Sequence, residues 1–173
     1  LSLSVLKDYL DKGEEVFKPV YASYHTLTTV ADVKKYLSKV YETHEMAWDL
    51  ETNTLSANYP GAKVLIFSFA WKDGGAACIP IEHMEVYSPT GTTVMQDKSI
   101  WKPEDLSEIW DMIRKLLYDQ TIQKVGHNIQ FDENFLLATK HATHFVNVAD
   151  TLIGYFLEID QQAKDSRRLS DLA

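Results

Sequence analysis

Cysteine is nearly absent from this chain: Cys78 stands alone among 173 residues. One thiol excludes an internal disulfide and a zinc site built from several cysteines, and it fits a reducing compartment. Cys78 sits in the apolar run AACIPI, where a small core side chain is its expected role. Long hydrophobic runs are missing as well. No stretch approaches the roughly 18 apolar residues of a membrane-spanning helix, so no membrane partner is expected. The amino end, LSLSVLKDYLDKGEE, carries acids where a secretory signal needs a basic flank and an apolar stretch. It also lacks an initiator Met, and the expectation is a fragment or a processed chain. Basic charge is scarce: 17 Lys and Arg face 25 Asp and Glu, a formal net charge of −8. Such a chain is not expected to coat a phosphate backbone nonspecifically, which takes many cationic contacts. It can still act on phosphate, because carboxylates gather cations that reverse the local sign. No repeat, coiled coil or low-complexity segment is present. No Gly-x-x-x-x-Gly-Lys loop occurs, and no serine sits in a nucleophile-elbow sequence.

What is there reads as one domain over residues 19–173, with a lead-in helix or linker over 1–18. After Pro19 the β-branched and aromatic stretch VYASYHTL is extended. Thr28 or Thr29 caps a helix to about Tyr41, with Val30, Val33, Tyr36, Leu37 and Val40 on one stripe. EMAWDLE alternates as a strand: Met46, Trp48 and Leu50 point one way, and Ala47, Asp49 and Glu51 the other. Tyr59-Pro60-Gly61 marks a turn. KVLIFSFAW is an apolar strand, Asp73-Gly74-Gly75 a tight turn, and AACIPI its returning partner. Residues 84–100 read as a loop. Pro103 opens a helix to about Asp119, with Glu104 and Asp105 in its first turn. TIQKVGHN is a strand, IQFDENFLLATKH a helix, FVNVAD a strand and TLIGYFLEI a helix. A further helix begins near Asp165. The order β-α-βββ-α-β-α-β-α implies an α/β mixed sheet, three antiparallel strands followed by alternating helices and parallel strands, with helices on both faces. That layout resembles an RNase H-like fold.

Two clusters carry candidate chemistry. Asp49 and Glu51 lie two apart on a strand, so both carboxylates leave one face. Two like charges so close are unfavourable unless cations sit between them. Chance alone produces about one Asp-x-Glu in a chain this acidic, but this pair ends an otherwise apolar strand. The second cluster is Gly126-His127-Asn128-Ile129-Gln130-Phe131-Asp132, where a strand ends and a helix begins. Asn128 and Asp132, four apart, share a helix face. Taken singly, Asn128 is an N-cap and Asp132 a first-turn charge. Taken together, Asp49, Glu51 and Asp132 converge at the sheet's edge in the inferred fold. Three carboxylates with few basic partners suit Mg2+ or Mn2+ bound through oxygen. Two such ions would serve an in-line phosphoryl displacement. His141 and His144 lack the partners of a zinc site and read as a helix end.

Asp49-Leu50-Glu51-Thr52 and Asn128-Ile129-Gln130-Phe131-Asp132 resemble the first two motifs of DEDD-type 3′–5′ exonucleases. Leu65-Ile66-Phe67-Ser68-Phe69-Ala70, the turn from Gly74 to Ala77, Ile79-Pro80-Ile81-Glu82-His83, Asp150-Thr151-Leu152 and Arg168-Leu169-Ser170-Asp171-Leu172-Ala173 resemble the proofreading domain of family A DNA polymerases. The likeness spans roughly residues 45–173. It implies that Asp49 bridges two divalent cations, that Glu51 binds one and orients the attacking water, and that Asp132 completes the other's shell. It places Thr52, Leu55, His127, Asn128 and Phe131 along a groove for the 3′ end of single-stranded DNA, with Leu55 wedged against the terminal base. It implies a covalently attached polymerase domain and a bacterial or phage-infected host cytoplasm.

The family's third motif, Tyr-x-x-x-Asp or His-x-x-x-Asp, is not found here. Asp150 is the nearest acid, and reads as a helix-capping residue or one that supports the ligands from behind. The expectation is a domain truncated at its carboxyl end, with weakened binding of one cation and little turnover by this fragment alone. Two other readings stay open: an RNase D-like exonuclease acting on RNA, and a catalytically silent exonuclease-like scaffold of a polymerase.

Overall fold

The computed structural model describes residues 23–72, 74–87 and 94–158. The expected lead-in helix over 1–18, Asp73 of the expected tight turn and the helix expected from Asp165 lie outside the described residues.

Strand β1 (Ser23–Thr26) leads into helix α1 (Val30–Thr43). Thr29 starts that helix: its hydroxyl oxygen accepts the Asp32 amide at 3.1 Å, satisfying one of the orphan donors of the first turn. His44 ends it in a left-handed conformation, φ 56°. Next comes the expected antiparallel meander of β2 (Glu45–Thr52), β3 (Val64–Trp71) and β4 (Gly75–Pro80). Gly74 turns at φ +82°. At Gly75 a Cβ would meet the Trp71 ring at 1.8 Å, so only glycine fits under that indole.

The segment expected as a loop over 84–100 is different. It contains β5 (His83–Tyr87) and β6 (Val94–Lys98), paired antiparallel as a separate ribbon. His83, Met84, Glu85 and Val86 alternate polar and apolar as a strand does. Val94-Met95-Gln96-Asp97-Lys98 does not alternate, and turn-forming residues lie between the two stretches, so the sequence carries only a weak ribbon signal. Helix α2 (Pro103–Tyr118), β7 (Gln123–Gly126), α3 (Ile129–Ala138), β8 (Val148–Asp150) and α4 (Thr151–Glu158) complete the chain's described part. Strand β8 is shorter than expected because Asn147 takes φ 53°, which a continuing strand cannot hold.

The main sheet has the order β1-β4-β3-β2-β7-β8. Strands β1 and β4, β2 and β7, and β7 and β8 run parallel. Trp48, Leu50, Phe67, Phe69 and Ile79 face one way and pack with Val33 and Leu37 of α1, Ile109 and Ile113 of α2, and Phe135 of α3. Burying each such side chain contributes about 1.5–3 kcal/mol. The other face of the strands carries small side chains: Ala47, Ser68, Ala70, Ala76 and Cys78 line a cavity of about 780 Å³ there. Thr151, the first residue of α4, stands on its wall. Cys78 is therefore not a core residue. Ala77 and Ile79 take the inward positions of β4, and alternation turns Cys78 to the cavity, 3.6 Å from the Thr26 hydroxyl.

Candidate active site

Strand β2 is hydrogen-bonded to β7 only from Glu45 to Ala47. Strand β7 ends at Gly126, one residue past the Ala47–Val125 pair, while β2 runs on to Thr52. The chain leaves β2 toward β3 on one side and leaves β7 toward β8 on the other. A crevice at the carboxyl ends of parallel strands, where connections depart in opposite directions, is where α/β sheets commonly bind ligands. Asp49 and Glu51 stand on the exposed face of β2 beyond the Ala47–Val125 pair.

With β7 ended, the Leu50 amide has no strand partner on that edge. The Asp132 carboxylate, in the first turn of α3, accepts it at 3.2 Å. Asp132 is only 4% exposed. Its carboxyl is pushed up to about 7, first by burial and then by the Asp49 charge, with Asp150 adding to the rise; the Leu50 and Asp132 amides oppose it. Asp49 is also raised, by burial, while the Leu50 amide and His127 pull it back. Asp49 and Asp132 are thus two acids close enough for the charge of Asp49 to oppose ionisation of Asp132. Glu133 is raised too, by burial and then by Asp150.

Asn128 holds the turn into α3 at φ 56°, a conformation Asn tolerates better than most residues. It occupies the N-cap position, yet its side chain makes no capping bond. Asp150 does that work from the next strand. Its carboxylate accepts the amides of Asn128 and Ile129 at 2.9 Å each, and that of Leu152 at 2.8 Å. Asp150 therefore caps α3, and its oxygens are taken by backbone donors. Sequence alone could not say which helix it caps, because the partner lies 21 and 22 residues upstream.

His127 lies on the cavity wall with Asp49. Its Nδ1 is 3.0 Å from the hydroxyl of Thr151, which the sequence reading named only within Asp150-Thr151-Leu152 and gave no role. Leu55 is 91% exposed, on a loop that Asn53 pins: its amide nitrogen Nδ2 donates to the Gly61 carbonyl at 2.9 Å and its Oδ1 accepts the Lys63 amide at 2.8 Å. The Thr52 hydroxyl turns inward to the Thr54 carbonyl at 2.7 Å. Phe131 is half-buried against Phe135, ring centroids 5.8 Å apart. His141 is past the end of α3 and stacks on Trp110, centroids 3.9 Å apart. Burial lowers its pKa.

Residues 24–173 match the family profile of 3′–5′ exonucleases of the DNA polymerase A type. The chain belongs to this 3′–5′ exonuclease family. It is 28% identical over 136 residues to DNA polymerase I of Pseudomonas aeruginosa, a match covering 76% of this chain and 13% of that protein. The chain thus spans a small part of the curated relative's length. Among solved structures it resembles the Aedes aegypti Nibbler EXO domain, with TM-score 0.61 and 12% identity over 90% of this chain and 70% of that one. It also resembles Trypanosoma brucei RNase D in complex with RNA, with TM-score 0.56 and 14% identity over 79% and 40%. Brucella melitensis NrnC with bound Mg2+ superposes with TM-score 0.50 and 22% identity over 87% and 59%. At these identities the structural likeness shows the RNase H-like exonuclease fold.

The Brucella melitensis NrnC structure holds Mg2+. The donor set here fits such an ion in part. Asp49 and Asp132 supply hard oxygen donors whose mutual repulsion a cation would relieve. Glu51 shares the face of Asp49, but among the described residues no three His, Cys, Asp or Glu side chains converge closely enough to hold a metal ion. The sheet register shifts between Glu51 and Thr52.

Proposed function

We propose that this exonuclease domain is the proofreading part of a DNA polymerase, hydrolysing the 3′-terminal phosphodiester of single-stranded DNA and releasing nucleoside monophosphates. The observation that carries this reading is the placement of Asp132 beside Asp49 where β7 ends, with burial first and then the Asp49 charge pushing its carboxyl up to about 7. Asp49 and Asp132 are the residues that would hold the Mg2+ or Mn2+ ions, with Glu51, on the same face of β2 as Asp49, as the third donor once drawn in. If held there, such ions would supply a water of lowered pKa and charge neutralisation for a phosphoryl displacement. Around them, Leu55 offers an exposed apolar wedge for the terminal base, and Thr52, His127, Asn128 and Phe131 border the path of the strand. The polymerase context is supported by the Pseudomonas relative, and it would place the protein in a bacterial or phage-infected cytoplasm.

A second reading is an RNA exonuclease, favoured by the likeness to RNase D in complex with RNA. Both are tested by digesting 5′-labelled single-stranded DNA and RNA of one sequence with the full-length parent protein and Mg2+ or Mn2+. The expected result is a one-nucleotide ladder from the 3′ end of DNA, lost with EDTA and in Asp49→Ala/Glu51→Ala. A ladder on RNA alone selects the RNase D-like reading. No ladder on either from a folded parent protein selects the silent scaffold.

A further inference from the structure

Two adjacent residues at the β8–α4 junction bond to four consecutive residues, from the last of β7 to the first of α3. Asp150 accepts the amides of Asn128 and Ile129. The Thr151 hydroxyl reaches the other two, lying 3.1 Å from the Gly126 carbonyl oxygen and 3.0 Å from His127 Nδ1. Proton counting assigns the directions. A threonine hydroxyl has one hydrogen to give, and a carbonyl oxygen only accepts. That hydrogen therefore goes to Gly126. The Thr151 oxygen is left as an acceptor, so His127 Nδ1 must be the donor.

We infer that Thr151 is a positioning residue that fixes His127 as its Nδ1–H tautomer and holds the imidazole on the cavity wall beside Asp49. A ring held in one orientation loses no rotamer freedom when a ligand arrives, so the clamp lowers the cost of binding. This rests on the proposed function only for the identity of the ligand, a single-stranded 3′ end. The tautomer is argued from the two hydrogen bonds of the Thr151 hydroxyl. Asp150 and Thr151 act on different atoms of the loop. Asp150 holds the backbone that leads to Asp132, and Thr151 holds the side chain of His127.

The test has two arms on the full chain. Long-range proton–nitrogen NMR correlation of the histidine rings, under conditions where imidazole is neutral, reads the His127 tautomer. Wild type is expected to carry the proton on Nδ1. Thr151→Val is expected to release the ring to the other tautomer, and Thr151→Ser to restore the wild-type spectrum. A wild-type proton on Nε2, or a Thr151→Val spectrum identical to wild type, overturns the assignment. The second arm measures binding of an oligothymidylate with phosphorothioate 3′ linkages by fluorescence anisotropy with Mg2+. Thr151→Val is expected to weaken binding about fivefold, the scale of one neutral hydrogen bond. His127→Ala should weaken it at least as much, and the double variant no further. Additive losses overturn the coupling. If wild type binds no single strand at all, the exonuclease reading fails, and the NMR arm still decides the tautomer.

Discussion

The Asp132 carboxylate accepts the Leu50 amide at 3.2 Å, across 82 residues of sequence. This bond ties the first turn of α3 to the strand that carries Asp49 and Glu51. It also places Asp132 where burial and the Asp49 charge both oppose its ionisation.

The first prediction concerns pH and stability. Asp132 titrates near 7 in the folded chain and near 3.8 as an ordinary aspartate. Its favourable contribution is complete below the ordinary value and is lost as pH rises through about 7. Asp132→Asn keeps an oxygen for the Leu50 amide and removes the charge. In EDTA the variant should match wild type at about pH 4 and be more stable by about 2 kcal/mol at about pH 8, a figure discounted for partial screening. Urea denaturation at several pH values checks this. A gain that does not change with pH would contradict the assignment.

Divalent cations should act in the opposite sense to the proton. A cation between Asp49 and Asp132 needs both carboxylates ionised, so its binding should strengthen as pH rises toward and past 7. Mn2+ at ten to one hundred times its dissociation constant should add roughly 1.4–2.7 kcal/mol to stability. Thermal melts with Mn2+ and EDTA, at low and neutral pH, measure it. The increment should vanish in Asp49→Ala.

Asp150 supplies a third prediction. Asp150→Ala removes the acceptor for two amides at the start of α3. Loss of a helix cap costs about 0.5–2 kcal/mol. The same change frees the turn that aims Asp132, so the Mn2+ stabilisation should fall along with the melting temperature. An unaltered Mn2+ effect would mean that the cap does not position the site.

Leu55 should behave in reverse. It is 91% exposed, so Leu55→Ala is expected to change stability by no more than about 0.5 kcal/mol. Binding of a single-stranded 3′ end should nonetheless weaken about tenfold, near the low end of what stacking contacts contribute. Anisotropy and a denaturation curve on one preparation separate the two effects.

Much of the fold was legible in the residues. The alternation of Met46, Trp48 and Leu50 against Ala47, Asp49 and Glu51 determined which face of β2 is buried, because a strand has only two faces. The stripe of Val33, Leu37 and Val40 determined α1, and Gly74-Gly75 the hairpin, since both depend on local spacing and local conformation. The spacing of the acidic motifs, with the resemblance they carry, named the family. Other features depended on partners distant in sequence. Turn residues hid the β5–β6 ribbon, and alternation within a paired strand moved Cys78 from the expected core to the cavity. Only the tertiary structure decided that the pairing of β2 with β7 stops at Ala47, that Asp132 takes up the Leu50 amide, and that Asp150 and Thr151 clamp residues 126–129. Sequence periodicity sets which side a residue faces, but long-range hydrogen bonds and the charge they enclose exist only once the chain has packed.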